Sequence, residues 1–251
     1  INFFPLDIDY VGDIRAEIRI FGITKDGKRV CAIDKNFDPY FWIVSDKLEK
    51  IKEKVEGIKD EDYEILRIEI DTKLDKGKSV EALKVYVDHP KSIPKIRKIV
   101  EKNFDVKTME ADILFVRRYL IDKNIFPNKI VKVKGNLVGT DIDVNYCLEI
   151  EDISPGEGEL NDPRVLSFDI ETYTRKNSYP LEGEDPIISL AFFGDKFEKV
   201  ITWKKFNTKD KITFVDGEAG LIEEFIKTIK EYKSDYLVGY FSDGFDFPYL
   251  I

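Results

Sequence analysis

Apolar and polar positions alternate with period two over residues 14–23. Ile14, Ala16, Ile18, Ile20 and Gly22 fall on one side and Arg15, Glu17 and Arg19 on the other, the pattern of a half-buried strand. The turn Lys25-Asp26-Gly27-Lys28 then leads into residues 29–33, a hairpin signal. Residues 37–44 are apolar and aromatic and contain Pro39, which marks an edge strand or a bend. The period changes over 45–55, where Leu48, Ile51 and Val55 recur at helical spacing behind Ser45 or Asp46 as the N-cap. Strands are expected over 63–70 and 82–87 around the turn Asp75-Lys76-Gly77-Lys78, and another near Val106. Helices are expected over 92–100, with Pro94 in the first turn, and over 111–123. This order describes an α+β domain at 1–130. Residues 131–163 carry Gly135, Gly139 and an acidic, Gly-containing stretch at 151–162. They read as a linker or insertion with room for strands at 129–134 and 143–150.

From residue 164 the pattern is different. Strands are expected over 165–170, 187–193 and 199–203, then an amphipathic helix over 217–232 with Leu221, Ile222, Phe225, Ile226 and Ile229 on one face. A fourth strand follows at 236–240, and a new element begins at 247. Three strands, a helix and a strand fit the start of an RNase H-like core, in which a parallel fourth strand joins the first strand of an antiparallel meander. A partial domain of that kind at 164–251 makes the whole chain α/β, with a mixed sheet, and brings residues after the fourth strand near the first.

Within VLSFDIET, residues 165–172, Asp169 and Glu171 share the polar face while Leu166, Phe168 and Ile170 share the apolar one. Two acidic residues so spaced are commonly just a solvated face. Strand propensity disfavours both, and placing like charges side by side is unfavourable unless a cation neutralises them. Carboxylate oxygens suit Mg²⁺ or Mn²⁺, which in turn hold phosphate oxygens. The expected topology carries Asp246 towards this pair. Three carboxylates from two neighbouring strand ends make a two-metal site for phosphodiester chemistry, where paired cations activate water and stabilise the leaving oxygen.

Composition narrows the setting. With 251 residues, 43% hydrophobic and 35% charged, the chain has material for one or two globular domains. No run of about 18 apolar residues is present, and the start lacks a basic, then apolar, leader pattern, so no membrane span is expected and the cytoplasm is the default location. Cys31 and Cys147 are far apart and give no zinc or disulfide pattern, and a single His89 excludes His-rich metal sites. The net charge of −9 argues against a surface that wraps nucleic acid as a whole. Residues 89–129 nonetheless carry ten Lys/Arg against five Asp/Glu, either a local basic patch or simply solvated helix faces. The absence of Gln and the abundance of Lys, Glu and Ile lean towards a thermophile. Residue 1 is Ile, the only Met is Met109, and an element begins as the sequence ends; the expectation is a piece of a longer protein.

SFDIET (167–172) and YFSDGFDFPYL (240–250) resemble the first two 3′–5′ exonuclease motifs of archaeal family B DNA polymerases. LDIDY (6–10), FDPYFW (37–42), VDHPKSIPKIR (87–97) and DILFVRRYLIDK (112–123) resemble that family's N-terminal domain. The resemblance implies a DNA-directed DNA polymerase with proofreading as the parent protein. Asp169, Glu171 and Asp246 would ligate two catalytic Mg²⁺ or Mn²⁺ ions, with Asp169 bridging. The family's third exonuclease motif and its polymerase carboxylates are expected beyond Ile251, so the chain alone is expected neither to polymerise nor to show more than slight nuclease activity. Phe241 stands where the family usually has an Asn that contacts single-stranded DNA, and Ser242 where Gly is common; Phe241 and Phe245 would be the single-strand contacts here. The resemblance further implies a pocket that captures template uracil, at Tyr10, Pro39, Ile93, Ile113, Leu114, Phe115 and Arg118, with Leu114 standing where a Pro is frequent. Read without it, most of these residues are ordinary core. Implied partners are single-stranded template and primer DNA, the remaining polymerase domains or subunit, and a sliding clamp, all at the nucleoid. Two other readings remain open: a stand-alone 3′–5′ exonuclease, and a single-stranded nucleic-acid-binding subunit of a split polymerase.

Overall fold

Residues 1–160 form one compact unit. In order they run β1 (Asn2–Val11), β2 (Glu17–Ile23), β3 (Arg29–Asp34), β4 (Tyr40–Val44), α1 (Leu48–Glu56), β5 (Ile65–Asp75), β6 (Lys78–Val87), α2 (Ser92–Asn103), β7 (Lys107–Met109), α3 (Phe115–Asp122), β8 (Lys129–Leu137) and β9 (Tyr146–Glu159). The computed structural model describes residues 1–59, 62–174, 179–181 and 183–250.

The alternation at Ala16, Ile18 and Ile20 survives in β2, whose inward residues join Phe3, Ala32, Val131, Val133, Leu148 and Ile150 in one core. That core fills a closed barrel of order β1-β2-β3-β9-β8, with Phe115 and Tyr119 of α3 packed into it. Ile14 is 83% exposed, because the strand begins only at Glu17. The barrel also corrects the reading of 131–163 as a linker: β8 and β9 pair along their length and close the barrel against β1 and β3. Pro155, Gly156 and Gly158 suggested a loop there, yet the ladder absorbs them through register shifts between Lys129 and Val131 and between Lys134 and Gly135.

Beside the barrel lies a four-stranded sheet of order β5-β6-β4-β7. Its β-α-β-β-α-β sequence leaves both helices on one face, where Ile51 and Val55 of α1 and Ile93, Ile96 and Val100 of α2 pack on Phe41, Ile43, Leu83 and Val85. The other face carries Tyr40, Trp42 and Tyr86, with Lys84 and Arg67 lying over their rings. The β5–β6 hairpin turns on Lys76 and Gly77, both at positive φ, as a two-residue turn of matching twist requires. β4 is internal rather than an edge: Pro39 precedes it, and its carbonyl accepts the Val87 N–H at 2.9 Å. Neither Ser45 nor Asp46 caps α1; Lys47 holds the N-cap position without a side-chain bond. α3 starts at Phe115 instead of residue 111, because Glu110 is left-handed and Leu114 extended.

Residues 161–251 form the second unit. It runs β10 (Val165–Thr172), β11 (Ile187–Gly194), β12 (Phe197–Thr202), β13 (Ile212–Phe214), α4 (Gly217–Tyr232), β14 (Tyr236–Val238) and α5 (Asp246–Leu250). The sheet order is β13-β12-β11-β10-β14; β10, β11 and β12 form the expected antiparallel meander, and β14 pairs parallel to β10. The short β13, parallel to β12, was not legible in the sequence. Leu166, Phe168 and Ile170 of β10 join Leu190, Phe192, Leu221 and Phe225 in the core, so Asp169 and Glu171 point to the opposite face. No described helix is long and apolar enough to cross a membrane.

Candidate active site

β10 places the first two carboxylates. Asp169 lies opposite Ala191 and Glu171 opposite Ser189, both exposed, and a register shift follows directly after Glu171. Such bulges re-aim side chains at strand ends.

The third carboxylate arrives through packing. After β14 the chain turns at Phe241, whose carbonyl accepts the N–H of Gly244 at 3.0 Å and of Phe245 at 3.1 Å. Phe247 then packs on Phe168, ring centroids 5.1 Å apart, and Phe245 and Tyr249 join the same core. This seats α5 against β10 and buries Asp246, whose Oδ1 accepts the Ile170 N–H at 3.2 Å. Burial holds the Asp246 carboxyl above the usual carboxylate range, the Asp169 charge adds to the rise, and the Ile170 N–H bond offsets part of it.

The donor set is all oxygen, as a hard divalent cation requires, and a desolvated carboxylate beside a like charge is stabilised by such an ion. Asp169 and Asp246 are brought within electrostatic reach of each other, and Glu171 shares their side of β10 one pleat further along. The three expected ligands are not gathered into one group: among the described residues no cluster of three His, Cys, Asp or Glu is arranged to hold a metal. Asp246 is held by the backbone amide of Ile170.

The loop before α5 contains features that sequence reading missed. A Cβ on Gly239 would come within 1.9 Å of Ser242 Oγ and 3.0 Å of the Phe168 carbonyl, so only Gly permits this approach. The Ser242 hydroxyl is buried and has no partner among the described residues. The only sequence signal for this contact was the departure at Ser242 itself. Phe241 is 72% exposed at φ +60°, with its ring covering the place a Gly244 side chain would take, whereas Phe245 packs partly into the core against Tyr249.

The seven residues expected to form a base pocket are divided. Tyr10 meets Phe115 edge to face at 5.5 Å, and Phe115 is buried in the barrel core. Ile93 belongs to the core between the helices and the four-stranded sheet. Pro39 is buried, Ile113 is half-buried, and Leu114 is 62% exposed at the start of α3. Arg118 is buried and engaged: Nη2 donates to Glu110 Oε2 at 2.6 Å, Nη1 lies 3.7 Å from Asp122, and the guanidinium stacks over Tyr40. Burial alone would raise the Glu110 carboxyl, but hydrogen bonds from Lys73 and Arg118 outweigh it and hold it below the usual range. Burial and the Asp122 carboxylate push the Tyr40 phenol up. Arg118 is therefore spent on internal carboxylates rather than held out for a phosphate.

Comparison with known proteins gives the family. The model of the DNA polymerase family B exonuclease domain matches residues 106–251. The DNA polymerase of Methanocaldococcus jannaschii is 34% identical over 223 residues, covering 86% of this chain and 12% of that protein. The DNA polymerase of Pyrococcus glycovorans is 32% identical over 251 residues, covering 98% of this chain and 28% of that protein. The solved family B DNA polymerase of the hyperthermophilic archaeon Pyrobaculum calidifontis superimposes with a TM-score of 0.77 at 30% identity, over all of this chain and 32% of that one. The chain thus spans less than a third of the length of these relatives. Its carboxylate strand, the parallel strand that delivers Asp246, and the family match across both features place it in one group: the chain belongs to DNA polymerase family B.

Proposed function

We propose that the chain supplies the N-terminal and proofreading parts of a DNA polymerase, and that its second unit removes nucleotides from the 3′ end of single-stranded DNA. The observation that carries this reading is the delivery of buried Asp246 to the backbone of β10 beside Asp169. Asp169, Glu171 and Asp246 would hold the divalent cations, which when bound supply water activation and stabilisation of the leaving oxygen. The chain's own part is to fix these carboxylates on a rigid strand and a packed helix start. Exposed Phe241 offers a flat face on which a terminal base stacks; stacking of this kind tolerates any base and is worth about 1–3 kcal/mol.

Because the three carboxylates are not gathered into one metal-holding group, the chain by itself is expected to bind Mn²⁺ weakly and to digest DNA little. Calorimetric titration with Mn²⁺ tests the site. Weak binding that disappears in Asp169→Ala and in Asp246→Asn supports it, and binding unchanged by both variants overturns it. Metal-dependent digestion of 3′-labelled single strands, lost in Asp169→Ala, would instead overturn the expected inactivity while keeping the site.

A second reading concerns the first unit, which we propose reads template strands for uracil. The Tyr10–Phe115 aromatic pair favours it, since a splayed-out base is held by such walls. Two single-stranded oligonucleotides that differ only by uracil in place of thymine should bind with different affinity, by no more than the about 1–3 kcal/mol that one methyl group decides. Equal binding at matched salt leaves Tyr10 and Phe115 as core residues only.

A further inference from the structure

The two cysteines gave no disulfide pattern in the sequence, yet the fold sets them side by side. Cys31 of β3 lies directly opposite Cys147 of β9 in parallel register, between the pairs Val30–Tyr146 and Ala32–Leu148. Val30, Ala32 and Leu148 belong to the barrel core, and neither cysteine does. Alternation therefore points both thiols to the same, outer side of the barrel wall, where both are buried. Burial pushes the Cys31 thiol up to about 12, and the Cys147 thiol, on the residue directly opposite, contributes to that rise. Neighbouring strands run about 4.8 Å apart, inside the roughly 4.4–6.8 Å between Cα atoms that a disulfide spans.

We propose that Cys31 and Cys147 form a cross-strand disulfide under oxidising conditions, a covalent clasp on the seam where β3 meets β9. This seam is the parallel junction of the barrel, and it joins segments far apart in the chain. A link there restricts the unfolded chain strongly.

The chemistry balances with a small-molecule disulfide such as oxidised glutathione. Cys147, 4% exposed against 0% for Cys31, is the side chain the reagent reaches first. Its thiolate attacks one reagent sulfur, the reagent S–S bond breaks, and one reagent thiol leaves carrying the proton that Cys147 gave up. Cys31 then loses its proton and attacks the Cys147 sulfur, expelling the second reagent thiol. Two electrons and two protons pass from the protein to the reagent. A buried thiol held protonated reacts slowly, so the bond forms most readily while the barrel is opening or folding.

The test is oxidative refolding of the chain in glutathione buffer, compared with the same protein kept in dithiothreitol. The expected result is a monomer in which thiols titratable after denaturation fall from two to none. Its mass is lower by about 2 Da. Its thermal midpoint stands roughly 5–15 °C above that of the reduced form. Cys31→Ala and Cys147→Ala each abolish the redox-dependent shift. Direct oxidation of the native protein with gentle warming reads the same quantities without full unfolding. Two persistent thiols in a folded monomer, glutathione adducts without an internal bond, disulfide-linked dimers, or a midpoint that falls on oxidation would each overturn the proposal.

Discussion

Asp246 is held under opposing demands. Its position beside β10 requires burial, and burial with the Asp169 charge raises its carboxyl above the ordinary value. The folded state therefore binds this proton more tightly than the unfolded chain. The stability linked to it is full in acid and is lost as pH rises through the raised value. In chelator, Asp246→Asn should unfold at higher denaturant concentration than the wild type at pH 7, with the gap closing as the pH falls towards the ordinary Asp value of about 3.9. A midpoint series from acid to neutral reads this, and a gap independent of pH would refute the link. Gly239→Ala acts on the same loop through space rather than charge. Its Cβ meets Ser242 Oγ at 1.9 Å and the Phe168 carbonyl at 3.0 Å, so unit 161–251 should lose about 1–3 kcal/mol. Gly139→Ala, which meets nothing within 4 Å, should change stability little. That Asp169 and Glu171 share the exposed face of β10 and that Asp246 comes up beside this strand was legible from the pleat and the strand order; that the three do not gather into one group was not. The Gly239–Ser242 approach and the pairing of Arg118 with Glu110 were not, because both depend on backbone turns that residue type alone does not specify.

At the scale of elements, amphipathic α4 and the meander β10–β12 were read almost to their ends, since each carries a regular period, although Ile226, expected on the buried face of α4, is exposed and Thr228 is buried instead. The barrel was not. Its last two strands contain Pro155, Gly156 and Gly158, and a hydrophobic pattern broken by glycine looks like a loop until the partner strand is known. Gly135 shows what those breaks do. It sits at the register shift of β8 on β9, where an added Cβ would lie 2.0 Å from the Glu149 carbonyl. Gly135→Ala should force the two strands apart, lower stability by about 1–3 kcal/mol and speed amide exchange in β8 and β9. Hydrogen exchange read by mass spectrometry localises the effect, and exchange unchanged in both strands would refute it. Helix α4 ends on Lys233 in the left-handed conformation, φ +55°, where a side chain is disfavoured. Lys233→Gly should therefore raise the stability of unit 161–251 by up to about 1 kcal/mol.

For the molecule as a whole, the proposed binding of single-stranded DNA turns on charge rather than fold. A net charge of −9 opposes a polyanion, and the basic segment 89–129 is a local counterweight. The structure shows how much of that segment is already used. Lys95 pairs with Asp62, Arg97 with Glu101, Lys107 with Asp75, Arg118 with Glu110 and Asp122, and Lys123 with Asp34. Lys91, Lys98, Lys102, Arg117 and Lys129 are exposed and have no ion-pair partner among the described residues. Only such charges can exchange counterions for phosphates without breaking an existing pair. Single-stranded DNA should therefore neutralise about 2–4 of them, and the logarithm of the binding constant should fall against the logarithm of salt with a slope of roughly −1.5 to −3. Arg117→Glu or Lys98→Glu should weaken binding and flatten the slope by about 0.7, while Lys107→Glu, which breaks a pair but removes no available charge, should leave the slope nearly unchanged. Fluorescence anisotropy over a salt series measures all three. A steep slope that responds equally to every lysine would mean that the ion pairs open on binding, and the segment would then act with its full charge.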